Sequence, residues 1–184
     1  EVTGVPHALG TFSPGYGVHH GLDVDDTLSF SVPSGVQTLS DAIRGTCAGY
    51  DYYTNETVFV ESGTSLAFTH THPGSYSRVV WHWDTEYRFT AAVVGGGTVD
   101  VADAWVGAGE MVTVTATPSD ATWAFAGWSG DVPAELRHDP VLQLICDAPL
   151  NITAHFGRAW YVAEAGSDAN DGLTPATPLA TLSN

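Results

Sequence analysis

Met111-Val112-Thr113-Val114-Thr115-Ala116-Thr117 alternates apolar and hydroxyl side chains in period two, the pattern of a strand with one buried and one wet face. Pro118-Ser119-Asp120 stops it. Trp123-Ala124-Phe125-Ala126-Gly127-Trp128 alternates large and small residues as a second strand would, and Ser129-Gly130-Asp131-Val132-Pro133 carries turn chemistry. Val141-Leu142-Gln143-Leu144-Ile145-Cys146 and Asn151-Ile152-Thr153-Ala154-His155-Phe156 give a third and fourth strand, parted by Asp147-Ala148-Pro149. The stretch reads as a small all-β module closed by aromatic residues.

The same order of segments occurs upstream. Leu28-Ser29-Phe30-Ser31-Val32-Pro33 matches the first strand and its proline stop, at an offset of 84 from Leu28 to Val112. Cys47-Ala48-Gly49-Tyr50-Asp51 matches Phe125-Ala126-Gly127-Trp128-Ser129 at an offset of 78. Leu66-Ala67-Phe68-Thr69 stands for the third strand, and Val79-Val80-Trp81-His82-Trp83 matches Ile152 to Phe156 at an offset of 73. Offsets that drift while the order holds are expected of a tandem duplication whose loops have changed length.

These residues carry a family resemblance. Gly95-Gly96-Gly97-Thr98-Val99, the run from Gly109 to Pro118, Phe125-Ala126-Gly127-Trp128-Ser129-Gly130-Asp131 and Asn151-Ile152-Thr153-Ala154-His155-Phe156 resemble the divergent internalin-type B-repeat. The likeness covers about residues 88–157 and is specific. Residues 1–87 resemble it weakly, with Tyr50 in place of the tryptophan, Cys47 in place of the phenylalanine, and longer loops. The resemblance implies an extracellular, non-catalytic, β-grasp-like module, strung in series on large bacterial surface proteins.

Composition agrees with an all-β chain. At 184 residues, 43% hydrophobic and 11% aromatic, it can bury a core in one or two domains. The 20 glycines and 10 prolines, with no apolar run at helical spacing, predict many turns and little helix. Charge excludes some partners. Twenty-one acidic residues face five arginines (Arg44, Arg78, Arg88, Arg137, Arg158) and no lysine, for a net charge of −16. Such a surface repels nucleic-acid phosphates and anionic lipid. It suits solubility in a salty or calcium-containing external medium. Without lysine, a Lys–Asn isopeptide staple cannot form.

Cys47 and Cys146 occupy non-equivalent positions, and a disulfide would need their Cα atoms within about 7 Å, so two buried free thiols are expected. No signal peptide or apolar run of spanning length is present. Because the chain opens abruptly on Glu1-Val2-Thr3-Gly4, that pattern is expected of a fragment rather than of a cytoplasmic protein.

Residues 1–25 are rich in Gly, Pro and His and should cross the surface in turns. His19-His20, near Asp23, Asp25 and Asp26, invites a metal reading, but neighbouring strand residues point to opposite faces, so surface histidines are expected. His70, His72 and His82 form a looser set without an evident third ligand direction. Trp81 and Trp83 share one strand face, as do Tyr50 and Tyr52, so a ring-paved face that stacks sugars is a candidate carbohydrate site. Core packing explains the same spacing and is the expected role. No paired carboxylates, nucleophile elbow, cysteine motif or phosphate loop leading into a helix is legible.

The last stretch changes character. Trp160-Tyr161-Val162-Ala163-Glu164-Ala165-Gly166-Ser167-Asp168-Ala169-Asn170-Asp171-Gly172 through Leu182 is similar to the opening of a pectate-lyase-like right-handed parallel β-helix. That resemblance implies a parent protein continuing into a fold used by polysaccharide-degrading enzymes and by adhesins. Asp168, Asn170 and Asp171 also read as the start of a calcium loop, although no bidentate glutamate follows and an Asx turn is the simpler expectation.

The sequence therefore predicts two tandem β-sheet modules, about 1–87 and 88–157, and the truncated start of a parallel β-helix over 158–184. The expected function is a non-catalytic stalk, spacer or adhesive segment of a bacterial surface or secreted protein. Its alternatives are a carbohydrate-binding module or the accessory front end of a β-helix polysaccharide lyase or hydrolase. Expected partners are other repeats of the chain, copies of itself through strand edges, and polysaccharide or cell-surface glycan. Neither nucleic acid nor membrane insertion is expected, and no cofactor other than calcium.

Overall fold

The structure, a computed structural model, describes residues 1–11, 13–55 and 57–182. It is all-β: among the described residues the only helical turn is a single 3-10 turn, Ala134–Leu136. Among the described residues no helix is long and apolar enough to cross a membrane. The chain divides into two compact units, Glu1–Arg88 and Phe89–Asn184.

The first unit holds β1 (Val2–Val5), β2 (Thr27–Ser31), β3 (Gln37–Ser40), β4 (Ile43–Thr54), β5 (Val58–Gly63), β6 (Ala67–Thr71) and the start of β7 (Ser77–Val94). β4 is its central strand. It pairs antiparallel with β3, β5 and β7, and β7 pairs in parallel with β1, Val2 opposite Val79. β2 and β6 form a separate antiparallel pair, Phe30 opposite Phe68. β7 follows the period-two rule along its length, burying Val79, Trp81, Trp83, Thr85, Tyr87, Phe89 and Ala91. The sequence reading stopped this strand at Trp83, because charged residues after it disguise an alternation that continues to Ala91.

The second unit holds the remainder of β7, β8 (Gly97–Val99), β9 (Asp103–Gly107), β10 (Met111–Pro118), β11 (Trp123–Gly130), β12 (Val141–Ile145) and β13 (Leu150–Arg158). One sheet runs β11, β13, β7, β9, with β13 and β7 parallel and Ile152 opposite Ala91. The other runs β12, β10, β8, all antiparallel. Facing residues Val112, Val114, Leu142, Leu144, Trp128, Ile152 and Phe156 close the core between them. Burying each aliphatic side chain contributes about 1.5–3 kcal/mol. Trp128 hides its Nε1–H by donating to the Asp139 carbonyl at 2.8 Å. The glycine run at 95–97 has a steric cause: a Cβ on Gly96 would meet the Trp123 indole, and one on Gly97 the Phe156 ring.

Both units contain a bulge where a glycine interrupts an antiparallel pair. In β4 against β7 the register shifts between Cys47 and Gly49, and in β11 against β13 between Phe125 and Gly127. Both glycines sit at positive φ, +150° and +137°. Only a residue without a Cβ takes that conformation without strain.

Residues after Arg158 form turns in which Val162 bridges Leu179 in parallel. Ala159 N–H donates to the Thr122 carbonyl and Tyr161 Oη to that of Ala121, within the second unit.

Candidate functional site

The four rings offered as a candidate sugar platform, Tyr50, Tyr52, Trp81 and Trp83, lie inside the first unit. Tyr50 and Tyr52 leave β4 on the face that also carries Trp81 and Trp83 from β7, with Tyr50 opposite Trp81 in the ladder. That face is covered by the β2–β6 pair. Tyr50 stacks on Phe68 at 3.7 Å and 4°, Phe68 stacks on Phe30 at 4.9 Å, and Trp81 meets both Tyr50 and Phe68 edge-on. Trp81 is 1% exposed and Tyr52 0%. The polar ends are also spent internally: Trp83 Nε1–H donates to Tyr16 Oη, Tyr16 Oη–H to the Leu9 carbonyl, and Tyr52 Oη–H to Ser77 Oγ. Burial pushes the Tyr16 phenol up to about 12, despite the opposing hydrogen bond from Trp83. It also raises Tyr50 and Tyr52. An open stacking platform at Trp81, Trp83, Tyr50 and Tyr52 is thereby corrected to core, because a second sheet covers their common face.

The calcium reading of the Asp168 loop also changes once side-chain directions are known. Asp168 Oδ1 accepts from the backbone N–H of Ala180 and Thr181, Asn170 Nδ2 donates to the Pro178 carbonyl, and Asp171 Oδ1 accepts from Leu173 N–H and Thr177 Oγ1. Three side chains thus serve three separate contacts, each pinning the loop to the 173–181 segment. The hydrogen bond from Thr177, followed by that from Leu173 N–H, holds the Asp171 carboxyl below the usual range. Among the described residues no group of three or more His, Cys, Asp or Glu is gathered to hold a metal ion.

The histidines do not converge. His72 is buried beside Ser77, His70 lies against the Tyr52 ring, and His82 Nε2 pairs with Asp51 at 2.9 Å on the opposite sheet face. In the second unit Ser129 Oγ and His155 Nε2 stand 2.7 Å apart, again on the outer face. Ser129 is exposed and His155 half-buried. A serine–histidine contact on an open sheet lacks the water-excluded pocket and oriented donors of acyl-transfer sites. Cys47 and Cys146 are free thiols, Cys146 buried and Cys47 half-buried, and burial raises both.

Residues 87–159 match the divergent InlB B-repeat domain. No curated protein and no solved structure matches the chain. A B-repeat is typical of bacterial surface proteins and is recognised as a non-catalytic domain.

One concavity was not legible in the sequence. In the first unit a cavity of about 800 Å³ opens between the segment after β1, strand β2 and the 72–79 stretch. Glu1, His19, His20, His72 and Tyr76 line it, and Tyr76 Oη–H donates to the Glu1 carboxylate at 2.7 Å. These residues come from three distant parts of the chain. Only the density of histidines in residues 1–25 hinted at them.

Proposed function

We propose that residues 1–88 are a diverged second copy of the B-repeat, and that the pair acts as a stalk, spacer or adhesive segment of a bacterial surface or secreted protein. The observation that carries this is the matched bulge: Cys47/Gly49 and Phe125/Gly127 are each 78 residues apart, the offset at which the sequences align. Main-chain contacts support it. Val32 N–H donates to the Leu66 carbonyl in the first unit, and Ala116 N–H, 84 residues on, to that of Pro140 in the second. Ser13 N–H to Ser31 O corresponds in the same way to Asp100 N–H to Thr115 O, and Val2 N–H to Gly17 O to Ala91 N–H to Ala102 O. The first strand of each unit also lies parallel to its last.

A spacer role follows from what such units offer: hydrogen-bonded strands, a strongly acidic surface, and no gathered catalytic groups among the described residues. The parallel bridge Val162–Leu179 favours the reading that residues 158–184 begin a β-helix, whose parent would be an adhesin or a polysaccharide-acting enzyme. Single-molecule stretching of the 184-residue chain tests the two-copy spacer. Two unfolding steps are expected, each releasing roughly 25–30 nm at about 3.5 Å per residue. One step releasing the whole length would refute it. On cells making the parent protein, antibody against residues 87–159 is expected to label without permeabilisation, and labelling only after permeabilisation would refute surface display.

A further inference from the structure

We propose that the cavity of the first unit binds a neutral, hydroxyl-rich ligand, a short stretch of uncharged glycan. Its volume of about 800 Å³ lies within the range of small-molecule sites, roughly 300–1,000 Å³. The lining combines apolar walls, including Val18 and Leu22, with the Tyr76 ring at 38% exposure. Imidazoles of His19, His20 and His72 supply polar groups. A neutral imidazole donates at one nitrogen and accepts at the other, as a sugar hydroxyl does both through one oxygen. Apolar C–H faces of a pyranose suit an exposed phenol ring.

Charge and dehydration narrow the class. None of the five arginines lines the cavity, the chain has no lysine, and the Glu1 α-ammonium is spent on the Ser77 carbonyl at 2.7 Å beside its own carboxylate, so uronates, sialic acids and phosphates meet no guanidinium or lysine there. A purely apolar ligand would dehydrate the exposed imidazoles of His19 and His20 and a carboxylate without replacing their hydrogen bonds, which is costly. A cation would have one carboxylate, Glu1, which already accepts the Tyr76 hydroxyl. The imidazoles are not gathered as a metal site.

The cavity exists because one segment does not pair as its counterpart does. Between β7 and β10 the chain lies down as strands β8 and β9. Between β1 and β2 the corresponding stretch makes only isolated bridges, Val2–Gly17 and Ser13–Ser31. Gly10, Pro14, Gly15, Gly17 and Gly21 break strand pairing there, and the arch they form walls the space. This site is independent of the spacer role.

Calorimetric titration of the 184-residue chain with cellotriose, mannotriose, galactotriose and chitotriose tests the assignment, with trigalacturonate and choline as charged comparators. At least one neutral trisaccharide is expected to bind. Tyr76→Ala and His20→Ala should each weaken it about tenfold or more, while His155→Ala, in the other unit, leaves it unchanged. His20 is exposed, so its variant keeps the test open if Tyr76→Ala fails to fold. No neutral trisaccharide bound at 10 mM (about 2.7 kcal/mol), preference for a charged comparator, or binding that survives His20→Ala would each overturn the proposal.

Discussion

The two units have in common an antiparallel pair bulged at a glycine, a first strand parallel to the last and a separate antiparallel pair, and they differ in what covers these. In the second, every segment between β7 and β10 is used as strand, and the aliphatic residues of β10 and β12 seal the core. In the first, aromatic rings fill the interior, and a glycine-rich arch encloses a cavity where the second unit lays down β8 and β9. Hydrogen-bonded pairs and the bulge glycine tolerate little change, because altering either leaves backbone groups unpaired or a Cβ in collision. Filling and covering are freer, since many side-chain sets reach the same volume.

The largest expected effect separates the two fillings. Trp81→Ala empties the centre of the first unit and should cost about 3–5 kcal/mol. Trp128→Ala should cost the second unit as much, and it also strands the Asp139 carbonyl. Chemical denaturation followed by tryptophan fluorescence should then show one transition moved and the other in place. If either substitution shifts both transitions equally, the units do not have separate cores.

Next comes the bulge. At Gly49 an added Cβ would collide with the Gly63 carbonyl, whereas at Gly127 the nearest atom, the Arg137 carbonyl, stands 3.1 Å away. Gly49→Ala should therefore cost about 3 kcal/mol and Gly127→Ala about 1 kcal/mol, the ends of the range for strained backbone. Equal losses would mean the positive φ alone matters.

The smallest effect is in pH, and its sign differs between units. Tyr16, Tyr50 and Tyr52 have raised values, mainly through burial, so their stabilisation is complete below the ordinary phenol pKa near 10 and is lost as pH rises above it, for Tyr16 towards about 12. In the second unit the hydrogen bond from Thr115 N–H lowers Asp100, so its contribution is present above about pH 4 and fades as pH falls below it. Asp100 is exposed, which keeps that contribution near 0.5 kcal/mol. Melting scans should show the first unit weaken in alkali and Asp100→Asn flatten the acid limb of the second. An alkaline scan that leaves the first unit unmoved would contradict the buried-phenol account.

Period-two alternation made the strands of the second unit legible, and the Phe125-Ala126-Gly127-Trp128 motif placed its bulge without naming it. The sequence could say that Trp81 and Trp83 share a face but not whether that face is covered, because the cover comes from β2 and β6, fifty and more residues away for one of them. At the Asp168 loop, spacing gives the oxygens and leaves both a calcium loop and an Asx turn open, while direction depends on Leu173, Thr177 and Thr181, which claim those oxygens. The cavity depends on three remote segments meeting, and no local pattern announces that.

The absence of lysine and the scarcity of arginine limit where a protease can cut. A protease that cuts after basic residues finds five peptide bonds in the whole chain. Arg44, Arg78, Arg88 and Arg158 lie in β4, β7 and β13, where a hydrogen-bonded backbone cannot enter a protease cleft without first leaving its sheet. Arg137, exposed beside the 3-10 turn, is the remaining bond, so digestion by trypsin-like enzymes would begin, if anywhere, at that turn.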